Sequence, residues 1–367
     1  MRKEFVFILV LLYGFYGCKL NAQDTIPTVK NDSVKNLTLN KFPVAFLLPG
    51  TGFGFGALGI ATYRFKGEAR ESRPSSSQLS VSYTTKNQIL VFAPYELYWD
   101  DEKWRLVGEL GFFKFSYNFF GVGIDSREED LDVYDVNFPR FKFSALREIL
   151  PNISIGLNYQ LDIYYNLDFE EGEILDTSDV VGKDNGGTVS NIGFQAFYDT
   201  RDNIFLPTKG FFIQASASTS SELLGSSFNY SKFSLDSRYY QKIKGQHIIA
   251  SNFFIANNGD GAPFFDLNWL GNNRTRGFND RRFLDNAELS FATEYRFPIA
   301  GRVDGVAFGS TGTVAGSFSE LFSSRYRNAG GLGLRYLLNK KDGIRLRADY
   351  GLSSEGGILY LTIREAF

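Results

Sequence analysis

The sequence predicts an all-β chain, a sixteen-stranded antiparallel transmembrane β-barrel of the outer membrane. Three observations carry this. The chain of 367 residues holds 37 Phe, 20 Tyr and 37 Gly but only 10 Pro and 1 Met. No segment after the N-terminal region offers ~20 consecutive apolar residues, so no helical span is expected. Short segments of strict alternation instead run from about residue 42 to the end, with charge on one face and aromatics on the other, which suits a wall between water and lipid.

Residues 1–22 read as a secretory signal. Arg2 and Lys3 give the positive start, Phe5 to Gly17 the apolar core, and Leu20-Asn21-Ala22 the cleavage site. Cys18 leaves a lipoprotein reading open, which the bulky Phe15 and Tyr16 disfavour. Cleavage after Ala22 removes Cys18, the single cysteine, and with it disulfides and thiolate metal sites. One histidine, His247, remains, so a histidine cluster is excluded and no metal or cofactor is expected. Residues 23–40 are polar and read as a short periplasmic linker, followed by a barrel over 41–367.

Sixteen segments follow: 42–49, 52–65, 78–86, 88–99, 103–119, 137–147, 152–167, 188–201, 210–221, 227–243, 246–257, 287–299, 302–315, 327–338, 343–352 and 356–367. The seventh sets Ile153, Ile155, Leu157, Tyr159, Leu161, Ile163 and Tyr165 against Asn152, Ser154, Gly156, Asn158, Gln160, Asp162 and Asn166. The twelfth sets Leu289, Phe291, Thr293, Tyr295 and Phe297 against Glu288, Ser290, Ala292, Glu294 and Arg296. The fifteenth sets Ile344, Leu346, Ala348 and Tyr350 against Arg345, Arg347 and Asp349. A soluble sandwich would turn the charged faces outward, whereas a barrel turns them inward.

Connections alternate between tight (146–152, 242–246, 300–302, 339–343) and long (121–136, 168–187, 258–286, 317–328). That is the pattern of periplasmic turns and external loops, and an even strand count puts both termini in the periplasm. Two external stretches, 125–135 and 168–184, are acidic. They read as solvated loop surface, with divalent-ion bridging to lipopolysaccharide as the alternative; neither has calcium-loop spacing. The terminal Phe367, on an alternating last segment, resembles the signal by which outer-membrane barrels are recognised for insertion. The net charge of −2 gives no sign of nucleic-acid binding.

The long loop after the eleventh segment carries Thr275-Arg276-Gly277-Phe278. An arginine inside a barrel is costly unless paired, and its planar fork suits carboxylates. Glu294, inward on the next strand, is the expected partner. Gly52, Gly54 and Gly56 do not make a phosphate loop, since no helix opens after them and no Lys-Ser/Thr follows. They suit close strand packing and a weak first strand. Catalysis finds no support. No Gly-x-Ser-x-Gly surrounds any serine, and spacing does not pair Asp162, Glu294 or Asp349 as acid and base.

Several stretches together resemble the outer-membrane assembly factor superfamily, the BamA- and TamA-like bacterial surface antigens. These are Leu270-Gly271 through Arg276-Gly277-Phe278, then Arg282-Phe283, then Glu294 with Arg296-Phe297-Pro298. Tyr198-Asp199-Thr200-Arg201-Asp202-Asn203, followed by Pro207 and Gly210, resembles that family's turn after strand eight. The resemblance covers about 41–367. It implies sixteen strands, a loop six inside the lumen, and opening between the first and last strands. It also implies a second acid on strand thirteen, in a Phe-x-Asp-x-Gly pattern; here Phe308-Gly309-Ser310-Thr311-Gly312 places Ser310 there as a weaker partner for Arg276. The family's αββ-type periplasmic POTRA modules find no room in residues 23–40, so a POTRA-less member is expected. The function implied is non-enzymatic insertion or translocation of proteins or other cargo. Outer-membrane lipid, lipopolysaccharide and separate periplasmic or outer-membrane proteins would be its partners. The alternatives are a passive or regulated pore, or a structural subunit of a larger outer-membrane complex.

Overall fold

The structure is a computed structural model describing residues 37–48, 52–68, 72–204, 206–339, 344–363 and 365–367. The signal segment 1–22 and most of the linker lie outside the described residues. The wall begins with β1 (Leu37–Leu48), β2 (Gly52–Tyr63), β3 (Ser75–Thr84) and β4 (Ile89–Trp99). It continues with β5 (Trp104–Phe119), β6 (Asp132–Leu150), β7 (Ile153–Asp168) and β8 (Gly187–Asp199). Then come β9 (Gly210–Ser220), β10 (Tyr230–Lys244) and β11 (His247–Asn258). Two short strands, β12 (Asn268–Leu270) and β13 (Phe283–Asp285), pair only with each other. The wall resumes with β14 (Ala287–Ala300), β15 (Val303–Ala315), β16 (Arg327–Asn339), β17 (Ile344–Ser353) and β18 (Gly356–Ile363).

Sixteen strands form one sheet in sequence order, each antiparallel to its neighbour, with β11 joined directly to β14. This is the predicted transmembrane β-barrel. No helix is long and apolar enough to cross a membrane. Three boundaries differ from the sequence reading by four residues or more. β1 begins at Leu37, so pairing with Tyr63 takes in the last four residues read as linker. β6 begins at Asp132, which moves part of the first acidic stretch into the wall. β18 stops at Ile363, and 365–367 lie beyond the sheet.

The burial pattern inverts that of a soluble protein. Phe194 is 67% exposed, and Leu157, Phe291, Tyr295, Leu346 and Tyr350 are exposed too. Asp162, Glu294, Arg335, Arg347 and Asp349 are buried. Apolar side chains face the lipid side and charge is enclosed, because only inside the barrel do charged groups find water or partners. Glycines let the ladders close up: a Cβ at Gly56 would sit 2.0 Å from the Val81 carbonyl oxygen, and one at Gly156 1.8 Å from that of Ala145.

One end of the barrel carries tight turns such as 151–152, 245–246 and 301–302; the other carries long loops. At the long-loop end an aromatic roof covers the lumen. Phe264 and Phe265, from the loop 259–286, pack against Phe119, Tyr134, Phe138 and Tyr164 of the wall. Tyr164 stacks on Phe265 with centroids 4.0 Å apart. The acidic loop 169–186 contributes Leu175 to the same roof, so part of it is core rather than solvated surface.

Candidate functional site

The loop 259–286 descends into the lumen on the β12–β13 ribbon, with Asn268 opposite Asp285 and Leu270 opposite Phe283. Its tip is shaped locally. The Asn272 carboxamide oxygen accepts from the backbone N–H of Arg274 at 2.9 Å, and Thr275 Oγ1 accepts from Gly271 N–H at 2.9 Å. Gly277 has φ of +121°. A Cβ there would lie 2.9 Å from Ala329 Cβ, and a Cβ on Gly351 would lie 2.8 Å from Gly277 N. Two facing glycines thus let the loop backbone touch the wall at β17.

The Arg276 side chain is buried under this turn. Nη2 donates to Glu294 Oε1 at 2.5 Å, and Nη1 donates to Asp349 Oδ2. The guanidinium also lies 3.7 Å from the Phe308 ring centroid. The expected partner Glu294 is therefore in place. Ser310 is not: its Oγ is buried with no hydrogen-bond partner among the described residues. The second carboxylate comes from Asp349 on β17, not from strand thirteen of the wall (β15). Gly333 on β16 leaves the room, since a Cβ there would meet Asp349 Oδ1 at 2.0 Å.

Both carboxylates serve further cations. Glu294 accepts from Arg296 at 2.8 Å and lies 3.7 Å from Arg335. Asp349 pairs with Arg335 and, at 3.4 Å, with Arg347. Arg335 continues to Glu365 at 2.8 Å, and Arg345 joins Asp304 at 2.7 Å and Glu365 at 3.4 Å. Arg347 donates to Asn273 of the loop at 2.7 Å. Five arginines thus share four carboxylates along one side of the lumen. Buried charges persist only when paired this way; removing one member strands the others at about 3–5 kcal/mol.

Other loop groups grip the β17–β18 hairpin. Tyr360 OH accepts from Gly277 N–H at 3.0 Å and donates to the Phe278 carbonyl at 3.1 Å. Ser353 Oγ donates to the Gly277 carbonyl at 2.6 Å, and Arg282 pairs with Glu355. Phe278 packs with Phe283, Leu270, Ile124 and Val314. In the loop itself, burial pushes the Asp285 carboxyl up to about 6.

The strand-eight turn forms a second cluster. Asp199 accepts from Arg201 Nε at 2.9 Å and from Arg73 Nη1 at 2.8 Å. Arg73 sits between β2 and β3 and also reaches Glu102 at 3.3 Å. This strap therefore ties three turns of the short-turn end together. Asp202 caps its own turn through Thr208 Oγ1 at 2.5 Å and Thr208 N–H at 2.8 Å. Pro207 is buried. Gly210 has φ of +108°, and a Cβ there would meet the Thr200 carbonyl at 2.3 Å.

Phe367 is buried beside Tyr240, Ala250 and Ala292, and its carbonyl oxygen accepts from Arg296 at 3.1 Å. The tail after β18 therefore turns into the lumen rather than presenting Phe367 to lipid. His247 Nδ1 lies 2.7 Å from Tyr295 OH.

A sixteen-stranded outer-membrane barrel with an arginine-stapled inner loop is the architecture these elements define. The chain belongs to the Omp85 superfamily: the profile described as the Omp85 superfamily domain matches residues 66–355. Among solved structures it is similar to BamA from Haemophilus ducreyi lacking POTRA domains 1-3. There the TM-score is 0.56 at 16% identity, over 90% of this chain and 69% of that one. It is also similar to CdiB from Acinetobacter baumannii, with TM-score 0.55 at 13% identity, over 90% of this chain and 59% of that one. The comparison with curated proteins gives no match.

Proposed function

We propose that this barrel is a non-enzymatic component for insertion or translocation of proteins, or other cargo, at the outer membrane, and that it works at the seam between β1 and β18. One observation carries the reading: besides its contacts to the roof and to β14, the tip of loop 259–286 is fastened to β17 and β18, through Arg276–Asp349 and Tyr360. A loop held on the last hairpin is placed to hold or release the last strand. Membership of the Omp85 superfamily supports the same role. In this reading the short-turn end faces the periplasm with both termini, and the exposed aromatics meet lipid and lipopolysaccharide. Separate periplasmic or outer-membrane proteins deliver the cargo.

The test is controlled depletion followed by quantitation of the outer-membrane and surface proteome. Selective loss of barrels or surface proteins supports the proposal and names the cargo. An unchanged proteome overturns it in favour of a pore or a structural subunit. Cysteines replacing Val44 and Leu361 then lock the seam. Cargo loss with an intact fold is expected, and unchanged cargo would sink the seam mechanism.

A further inference from the structure

A cavity of about 740 Å³ lies in the lumen on the side of the short turns. Its walls run from Ser76 on β3 round to Ala256 on β11, and Ile204, Pro207 and the tail 365–367 also border it. The loop-six arginine is not among its lining residues. Its size is that of a small-molecule site.

Most charges around this chamber are matched. Arg105 pairs with Glu96, Arg201 with Asp199 at 2.8 Å, Arg238 with Asp236 at 2.6 Å and Lys232 with Asp266 at 2.7 Å. Glu109 pairs with Arg140 at 3.5 Å, and Lys142 stands opposite Glu109 on the ladder without an ion pair among the described residues. The aromatic faces are occupied as well: Arg105 lies 4.1 Å from the Phe197 centroid, Arg201 4.3 Å from that of Phe212 and Arg274 3.6 Å from that of Phe254. An ionic or an oily ligand would displace contacts already made.

Apart from Arg105 Nε and Glu109 Oε1, which belong to ion-paired side chains, what stands unmatched is neutral. Asn191 is 3% exposed and its Nδ2 has no partner; Gln195 is 8% exposed and its Oε1 has none. Asn158 Oδ1 is likewise without a partner among the described residues. Asn158, Asn191 and Gln195 stand on the paired strands β7 and β8, where the register sets Gly156 opposite Gln195 and Asn158 opposite Gly193. Unsatisfied buried amides cost about 1–3 kcal/mol each, so the wall gains by meeting a ligand that both donates and accepts. Hydroxyl groups do both from one atom.

We infer that the chamber is a binding site for a neutral, hydroxyl-rich ligand, a short oligosaccharide, held by Asn158, Asn191 and Gln195. This goes beyond the proposed role at the seam and does not depend on it. The test is calorimetric titration of the full-length protein, in a detergent without a sugar headgroup, with maltotriose, cellotriose and chitotriose. At least one is expected to bind, one molecule per barrel. Asn191→Ala and Gln195→Ala are each expected to weaken it about tenfold, ~1.4 kcal/mol. Phe194→Leu on the outer face should leave it unchanged. Saturation-transfer NMR on the unmodified barrel gives a second readout if either variant fails to fold. Absence of binding by all three sugars at millimolar concentration overturns the inference. So does equal binding by a capped Ser-Gly-Ser peptide, or unchanged affinity in both folded amide variants.

Discussion

Arg276 and Asp349 are 73 residues apart in the chain, yet they form a buried ion pair inside the barrel. The pair joins the tip of an inner loop to the strand before last. Its other arm, to Glu294, reaches β14. One guanidinium therefore bridges two parts of the wall that are not neighbours in the sheet.

Arg276→Ala strands Glu294 and Asp349 opposite the remaining arginines and frees the loop tip. The expected cost is about 3–5 kcal/mol, with lower heat resistance on semi-native gels and raised single-channel conductance. Arg276→Lys should recover part of the stability, because a single ammonium keeps charge but loses the fork. Unchanged heat resistance and conductance in the alanine variant would remove the staple from the account.

Ser310 and Asp349 should respond oppositely. Ser310→Ala removes a buried hydroxyl that has no partner, so stability should change by less than about 1 kcal/mol or rise. Asp349→Asn removes the charge that Arg276 and Arg335 share, and should cost about 3 kcal/mol or more. Denaturant midpoints of the two variants compare them directly. A larger loss for Ser310→Ala would mean that the hydroxyl, not Asp349, completes the site.

Loop six should loosen as pH rises. Burial is the main cause that lifts Asp285 from its ordinary 3.8 to about 6; the charge of Glu320 adds to it, and the Asn286 N–H opposes it. A carboxyl with a raised folded value favours folding while protonated. That contribution is full below about pH 4 and is lost as pH passes about 6. Hydrogen-exchange protection over residues 259–286, corrected for the intrinsic pH dependence of amide exchange, should therefore fall between pH 4 and 7 in the native protein. In Asp285→Asn the dependence should flatten; a persistent slope would locate the titration elsewhere.

Arg73→Ala cuts the strap from the β2–β3 connection to Asp199 and Glu102. Asp199 keeps Arg201, so the expected loss is modest, about 1–2 kcal/mol. Protease cleavage within 64–74 should appear while the rest of the barrel stays resistant. Cleavage at the native rate would show that the strap is held by other contacts.

Much of the wall was legible because the pleat has period two and the membrane leaves little choice. The alternations of the seventh, twelfth and fifteenth segments place Asp162, Glu294 and Asp349 inward, and they are buried. The boundaries slipped where alternation gives no stop signal. Leu37 to Asn40 extend β1, and Glu365 to Phe367 lie beyond the end of β18. Asp349 was visible as an inward carboxylate, but nothing local tied it to Arg276. Ser310 drew attention by its place in a pattern, while the acid that does the work sits two strands further on.

The sequence by itself determined the strand number, the face of each segment and the loop that carries Arg276, because these follow from local periodicity and from the cost of placing charge in lipid. The tertiary structure alone decided which carboxylates close on Arg276, where Phe367 turns and which amides are left unmatched around the chamber. Those outcomes depend on strand register and on the curvature that brings β8 near the β2–β3 connection and loop six onto β17. Register and curvature are set by the summed pairing of all sixteen strands, and no single segment encodes them.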